Sequence, residues 1–308
     1  MISLVAVVGP TAIGKSSLAL ELGRTFGGEI INADSRQVYR HMDIGTAKPT
    51  LDDMAVVPHH LINVVNPDEV FSLALYQHKA REAIDDIQRR EKLPILVGGS
   101  GLYVWALLEG WRIPPVPPDH VIRRELEARA LSQGTGVLYE ELKQLDPDAA
   151  EQIDPRNTRR VIRAIEVSRK GRPFSRLQGK EPFVNSLIIG LTTDRIDLYR
   201  QIDARVDSMM EKGLLAEVEG LVKMGYGFNL PSMSGLGYKQ IGMFFQGEID
   251  LTTAIQKIKS NTHRFVRHQN NWFRLHDERI HWFDIRQEID QAVRDLIERF
   301  SAKQHAHH

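Results

Sequence analysis

Residues 4–17 read LVAVVGPTAIGKSS, an apolar run that breaks at Gly9 and resumes in helical period with SSLALELG over 16–23. The spacing of Gly9, Gly14, Lys15 and Ser16 fits G-x-x-x-x-G-K-[ST], set between a strand and a helix. Glycine permits the dihedrals such a loop needs, and the following helix offers its positive N-terminal end to an anion. Gly9, Pro10, Thr11, Ala12, Ile13, Gly14, Lys15 and Ser16 therefore predict a phosphate-binding loop, with Lys15 neutralising phosphate charge and Ser16 placed to ligate magnesium. The pattern is shared by nucleotide-binding and ATP-binding proteins. It specifies a diphosphate or triphosphate and leaves the reaction open.

Working outward, the first half alternates short β-rich runs with helical patterns: LVAVV, the helix after Lys15, EIINAD, FSLALYQHKAREAIDDIQRR and LPILVGG. That order predicts an α/β fold of the P-loop NTPase type, a parallel sheet flanked by helices with its ligand at the strands' carboxyl ends. Ser72 is the expected N-cap of the long helix. Four prolines in RIPPVPPD (112–119) interrupt the rhythm. We place a domain boundary there: residues 1–118 and 181–308 form the core, and 119–180 a small all-helical insertion. SLIIGL (186–191) reads as a return to the sheet, followed by helical patterns at about 195–224 and 250–274, a strand IHWFD and a last helix. KQHAHH (303–308) reads as a disordered tail.

The chain has 308 residues, with forty basic residues balancing forty acidic ones, so whole-chain charge argues for no polyanionic partner; only local clustering could. The absence of cysteine removes disulfides, thiolate catalysis and cysteine-ligated zinc. No apolar run is long enough to span a bilayer and no signal-peptide pattern opens the chain, so a cytoplasmic protein without membrane contact is expected. His59 and His60, adjacent in PHHLI, are read as local hydrogen-bonders in a loop, without zinc.

The strand PILV, where an NTPase would carry a magnesium-binding acid, runs instead into Gly98 and Gly99. The acid lies in INADSRQVY, where Asp34 is either a base acting near the bound phosphates or a cap for the next turn. Between Arg156 and Lys180 there are nine Lys or Arg against one acid, Glu166. That is the footprint of a nucleic-acid backbone or, alternatively, a solvated helix face. In THRFVRHQNNWFR (262–274) basic residues interleave with aromatics, which are read mostly as core residues of an amphipathic helix.

Taken together, GPTAIGKS, INADSRQVY, MDIGTAKP (42–49), PHHLI (58–62), GGSGLY (98–103), RRVIRAIEV (159–167), GLGYKQ (235–240) and THRFVRHQNNWF (262–273) resemble the bacterial tRNA dimethylallyltransferases, in family order over nearly the whole chain. The pattern departs at Ile13, His268 and Asn271, and no Cys₂His₂ finger follows. The resemblance implies transfer of a dimethylallyl group from dimethylallyl diphosphate to the exocyclic amine of the adenosine 3′ of the anticodon, with magnesium as cofactor and a monomer needing no protein partner. It implies catalytic roles for Asp34, Thr11, Lys15 and Arg205. It further implies tRNA contacts at Asp34, Ser35, Arg36, Gln37, Ser100, Arg123 and Arg159, Arg160, Val161, Ile162 and Arg163. Three rivals remain at this stage: a small-molecule kinase, an adenylate isopentenyltransferase acting on free nucleotide, and a non-catalytic RNA-binding protein.

Overall fold

A computed structural model describes residues 2–114 and 116–305. In chain order the elements are β1 (Ile2–Val8), α1 (Lys15–Phe26), β2 (Glu29–Asn32), α2 (Leu51–Val56), β3 (His59–His60), α3 (Leu73–Arg89), β4 (Pro94–Val97) and α4 (Gly101–Leu108). Then come α5 (His120–Gln133), α6 (Thr135–Leu145), α7 (Pro147–Gln152) and α8 (Thr158–Ser168). The remainder is β5 (Val184–Thr192), α9 (Arg195–Glu211), α10 (Leu214–Lys223), α11 (Tyr238–Phe245), α12 (Leu251–Gln269), β6 (Ile280–Asp284) and α13 (Asp290–His305).

All six strands pair in parallel, in the order β3-β2-β4-β1-β5-β6. Strands buried on both faces read as continuous apolar runs, which is why LVAVV and PILV carry no alternation. Val5, Val7, Ile95 and Ile189 are fully buried in the core with Leu22 and Val293 from the flanking helices. Each such side chain contributes about 1.5–3 kcal/mol. Because every strand runs the same way, the loops after β1, β2 and β4 emerge at one edge of the sheet. No described helix is long and apolar enough to cross a membrane.

The chain forms two compact units, 1–108 with 183–308, and 109–182. The sequence reading put the first boundary after residue 118; the proline-rich stretch belongs instead to the helical unit. Trp111 bridges Lys180, Arg112 N–H donates to Gly179 O (2.9 Å), and Val116 packs into the helical core with Leu126, Leu142 and Ile165.

Other differences are local. Ser72 Oγ accepts from Leu75 N–H (3.2 Å) as expected, but the helical pattern at 195–224 splits where Gly213 takes φ 97°. His59 and His60 form a short strand rather than a loop, with His59 Nδ1 2.7 Å from Val57 O and His60 Nε2 2.7 Å from Glu29. Helix α13 runs to His305, into the stretch read as a tail; 306–308 lie outside the described residues.

Candidate active site at the carboxyl edge of the sheet

Between β1 and α1 the loop takes the shape its glycines allow. Gly9 has φ 140°, and a Cβ there would meet Leu191 O at 2.7 Å, so β5 tolerates only glycine. Gly14 has φ 91° and is the N-cap of α1 without a side-chain cap; no acid occupies the first turn. The first amides of α1 are thus left for an anion. Ala12, at φ 69°, is held left-handed, at a cost of about 1–2 kcal/mol that the loop sustains.

The loop borders an open cavity lined by Thr11, Lys15, Ser16, Asp34, Gln37 and Arg205. All four residues given catalytic roles are thereby brought together, from β1–α1, the end of β2, and α9. Ala19, Ile30, Ile62 and Val97 are among its apolar lining residues. Two cations against one carboxylate make the cavity selective for anions. Lys15 Nζ donates to Pro10 O (2.7 Å), and Arg205 makes no hydrogen bond or ion pair among the described residues. Burial pushes the Lys15 ammonium down to about 7; Arg205 pushes the same way and Asp34 opposes it. Burial also lowers Arg205, again against Asp34.

This has a measurable consequence. A bound diphosphate raises the Lys15 pKa, so above pH 7 binding must take up a proton. Affinity for inorganic diphosphate therefore falls as pH rises past 7, by at most about tenfold per unit. Calorimetry at several pH values, taken as the ratio of wild type to Lys15→Met so that the ligand's own ionisation cancels, checks this; a pH-independent ratio contradicts it.

Asp34 is both a cap and open to the cavity. Its Oδ1 accepts from Arg36 N–H (2.8 Å), while its own N–H and C=O are gripped by the buried Asn32 amide at 2.9 and 3.0 Å. One carboxylate oxygen thus holds the turn, and the second has no hydrogen-bond partner among the described residues. Ser35 N–H donates to Ser100 Oγ (3.1 Å), tying this turn to the end of β4.

Several expected tRNA contacts have other work. Arg36 donates to Pro231 O (2.8 Å), Ser232 O and Ser234 Oγ, and Gln37 Nε2 to Thr46 O and Ala47 O. In the helical unit, Arg123 and Arg163 both clasp Glu166, which is 0% exposed. Burial pushes that carboxyl up, but the two arginines and the Asp119 amide outweigh it and hold it below the usual range. Val161 (0% exposed) and Ile162 (4%) belong to the unit's core, so their side chains support the surface rather than form it.

The nine-to-one basic excess is also smaller in space than in sequence. Arg156 pairs with Asp154, Arg169 with Glu125 and Glu141, Lys170 with Asp119 and Lys180 with Glu109. Residues 109–182 hold fourteen Lys and Arg against twelve Asp and Glu. What survives is a smaller set: Arg159, Arg160, Arg172 and Arg176 are exposed without an ion-pair partner among the described residues. Arg159 and Arg160 sit in the first turn of α8, where the helix dipole disfavours cations by about 0.3–1 kcal/mol each, so folding does not explain them.

In α12 and beyond, Phe273 is buried but Phe265 and Trp272 are 42% and 40% exposed, contrary to the core reading of these aromatics. The residue missed altogether is Gln269. Buried, it accepts from Thr11 N–H with Oε1 (2.9 Å) and donates to Gly99 O with Nε2 (2.9 Å). A polar residue in the buried stripe Thr262, Val266, Gln269, Phe273 was the signal for it.

Magnesium can be tested against this donor set. Among the described residues no cluster of three His, Cys, Asp or Glu exists, but magnesium commonly keeps several waters and binds one or two protein oxygens plus substrate phosphates. Ser16, lining the cavity, fits that sparse mode.

The IPP transferase family profile matches residues 37–276. A tRNA dimethylallyltransferase of Thermomicrobium roseum is 48% identical over 299 residues, 96% of this chain and 91% of the relative. That of Roseiflexus castenholzii is 54% identical over 276 residues, 89% of this chain and 90% of its own. Among solved structures, a tRNA isopentenylpyrophosphate transferase from Bacillus halodurans superposes with TM-score 0.74 at 39% identity over 100% of both chains. A eukaryotic dimethylallyltransferase acting on tRNA gives 0.79 at 27% identity over 96% of this chain and 78% of that one.

Proposed function

The chain belongs to the IPP transferase family, and from that premise we propose that it transfers a dimethylallyl group from dimethylallyl diphosphate to the N6 amine of the adenosine 3′ of a tRNA anticodon. The observation that carries the mechanism is one cavity lined by Lys15 at a helix N-terminus, by Arg205, by several apolar side chains and by a carboxylate oxygen without a partner among the described residues.

The loop amides, Lys15 and Arg205 take the diphosphate. The Thr11 amide is engaged by Gln269, so Thr11 offers its hydroxyl. Ala19, Ile30, Ile62 and Val97 suit a short hydrocarbon chain and exclude water around it. The C1–O bond breaks as N6 bonds to C1; negative charge grows on the departing diphosphate, where fixed cations and dipoles contribute most. Ser16 would hold magnesium, which would supply further charge neutralisation on the phosphates. Asp34 orients the amine and takes the N6 proton, which passes on to solvent. An arylamine is a weak nucleophile, so holding its lone pair on line counts for more than basicity.

The acceptor must leave the anticodon stack to reach any such cavity. Arg159, Arg160, Arg172 and Arg176 are the phosphate contacts we assign to the helical unit, with Arg123 and Arg163 holding its shape. Arg159→Ala and Arg160→Ala are each expected to raise the KM for tRNA, lower its salt slope by about 0.7–0.9, and leave the KM for dimethylallyl diphosphate unchanged. Arg163→Ala instead lowers the melting temperature by exposing Glu166 to an unbalanced burial. An unchanged salt slope in both surface variants removes these two residues from the interface. We take the enzyme to act as a monomer in the cytoplasm, a reading that tRNA as the acceptor supports for location.

Labelled dimethylallyl diphosphate offered to tRNA, AMP and ATP in parallel tests the assignment. Label in tRNA alone is expected. Label in AMP moves the chain to the free-nucleotide reaction, and ATP turnover without label to a kinase.

A further inference from the structure

Gln269 is 3% exposed, yet it is polar and makes two long-range hydrogen bonds, to Thr11 N–H and Gly99 O. Only one amide orientation serves both, because a backbone N–H must meet Oε1 and a carbonyl must meet Nε2. Thr11 lies in the phosphate loop. Gly99 leads to Ser100, whose N–H donates to Ala33 O (3.3 Å) and whose Oγ accepts from Ser35 N–H, on either side of Asp34. A single side chain therefore ties the phosphate loop to the end of β4, and Ser100 ties that end to the turn carrying Asp34. Gly99 fits this arrangement, since a Cβ there would meet Gln269 Nε2 at 2.4 Å.

We propose that Gln269 is a positioning residue that fixes the phosphate loop relative to the Asp34 turn, and so sets the approach of the acceptor amine to the allylic carbon. It touches neither reacting group. Its physical warrant is that a small displacement of oriented reactants is costly: a misplacement of about 1 Å lowers rate by on the order of 10²-fold. The Thr11 amide, if released from Gln269, would also be free to swing, loosening the diphosphate site.

The proposal rests on the transferase reading, so its test has one arm that does not. Gln269→Met keeps the length and removes both hydrogen bonds. Gln269→Glu keeps the acceptor for Thr11 and sets an oxygen against Gly99 O. Gly99→Ala displaces the amide from the opposite side and leaves no buried group orphaned by deletion. In tRNA transfer, each is expected to lower kcat by about 10–100-fold with the KM for tRNA unchanged. Without tRNA, Gln269→Met and Gly99→Ala, which disturb the Thr11 contact, each weaken inorganic diphosphate by about tenfold, as for one lost hydrogen bond. The Gln269→Met, Gly99→Ala double variant should fall short of additivity, since both break the same contact.

A folded Gln269→Met with wild-type kcat and wild-type diphosphate affinity overturns the proposal, as does a loss confined to melting temperature. Should Gln269→Met not fold, Gly99→Ala decides on the same readouts. If wild type transfers nothing to tRNA, the transferase reading fails, and the diphosphate arm still judges Gln269.

Discussion

Asp34→Asn is expected to lower turnover by about two to four orders of magnitude while leaving the affinity for tRNA and the melting temperature near those of wild type. The choice of asparagine follows from the geometry. Asp34 Oδ1 accepts from Arg36 N–H at 2.8 Å, and an asparagine oxygen serves that bond equally well. What asparagine cannot do is take a proton from the attacking amine. Asp34→Ala should be as slow in turnover and about 1 kcal/mol less stable, having lost the turn's hydrogen bond as well. The pair thus separates the base from the cap, two roles that the sequence left equally open. An Asp34→Asn enzyme with near wild-type kcat would make the carboxylate structural, and collapse of tRNA binding would say the same.

Arg205→Ala carries the second large effect. Its guanidinium lines the cavity and makes no ion pair among the described residues, so its energy is available to the diphosphate as negative charge develops. Loss of one such charge-stabilising group costs about 10²–10³ in kcat, and the KM for dimethylallyl diphosphate should rise with it. There is a further signature. Arg205 is one of the groups holding Lys15 down to about 7, so its removal raises the Lys15 pKa. Diphosphate affinity in Arg205→Ala should then be lower at neutral pH but hold further into the alkaline range than in wild type. Parallel binding curves with an unmoved pH dependence would show that Arg205 does not act on Lys15.

Much of this was legible before the structure, because the informative features are local. The phosphate loop is a matter of glycine spacing, and the apolar runs LVAVV and PILV announce a buried parallel sheet. Asp34 could be placed at a strand end, but not assigned one role, since one of its oxygens holds the turn while the other has no partner among the described residues, and only geometry shows that. The basic cluster misled in magnitude for a related reason: Glu125 and Glu141 are distant in sequence from Arg169 and adjacent to it in space. Val161 and Ile162 were carried along by a motif whose surface is arginine and whose interior is aliphatic. Gln269 lies within the motif THRFVRHQNNWF, where its neighbours mark it only as one polar residue of a helix. Its function lies in contacts 258 and 170 residues away, which no window reveals.

The most direct test of the account is the fate of both halves of the donor. Wild-type protein with dimethylallyl diphosphate and a tRNA carrying adenosine 3′ of its anticodon should release one inorganic diphosphate per group transferred. Nuclease digestion should then place the new group on the N6 of that adenosine, with Asp34→Asn as the silent control. Diphosphate release without modified adenosine, or modification that Asp34→Asn performs as fast as wild type, would contradict the assignment of this cavity.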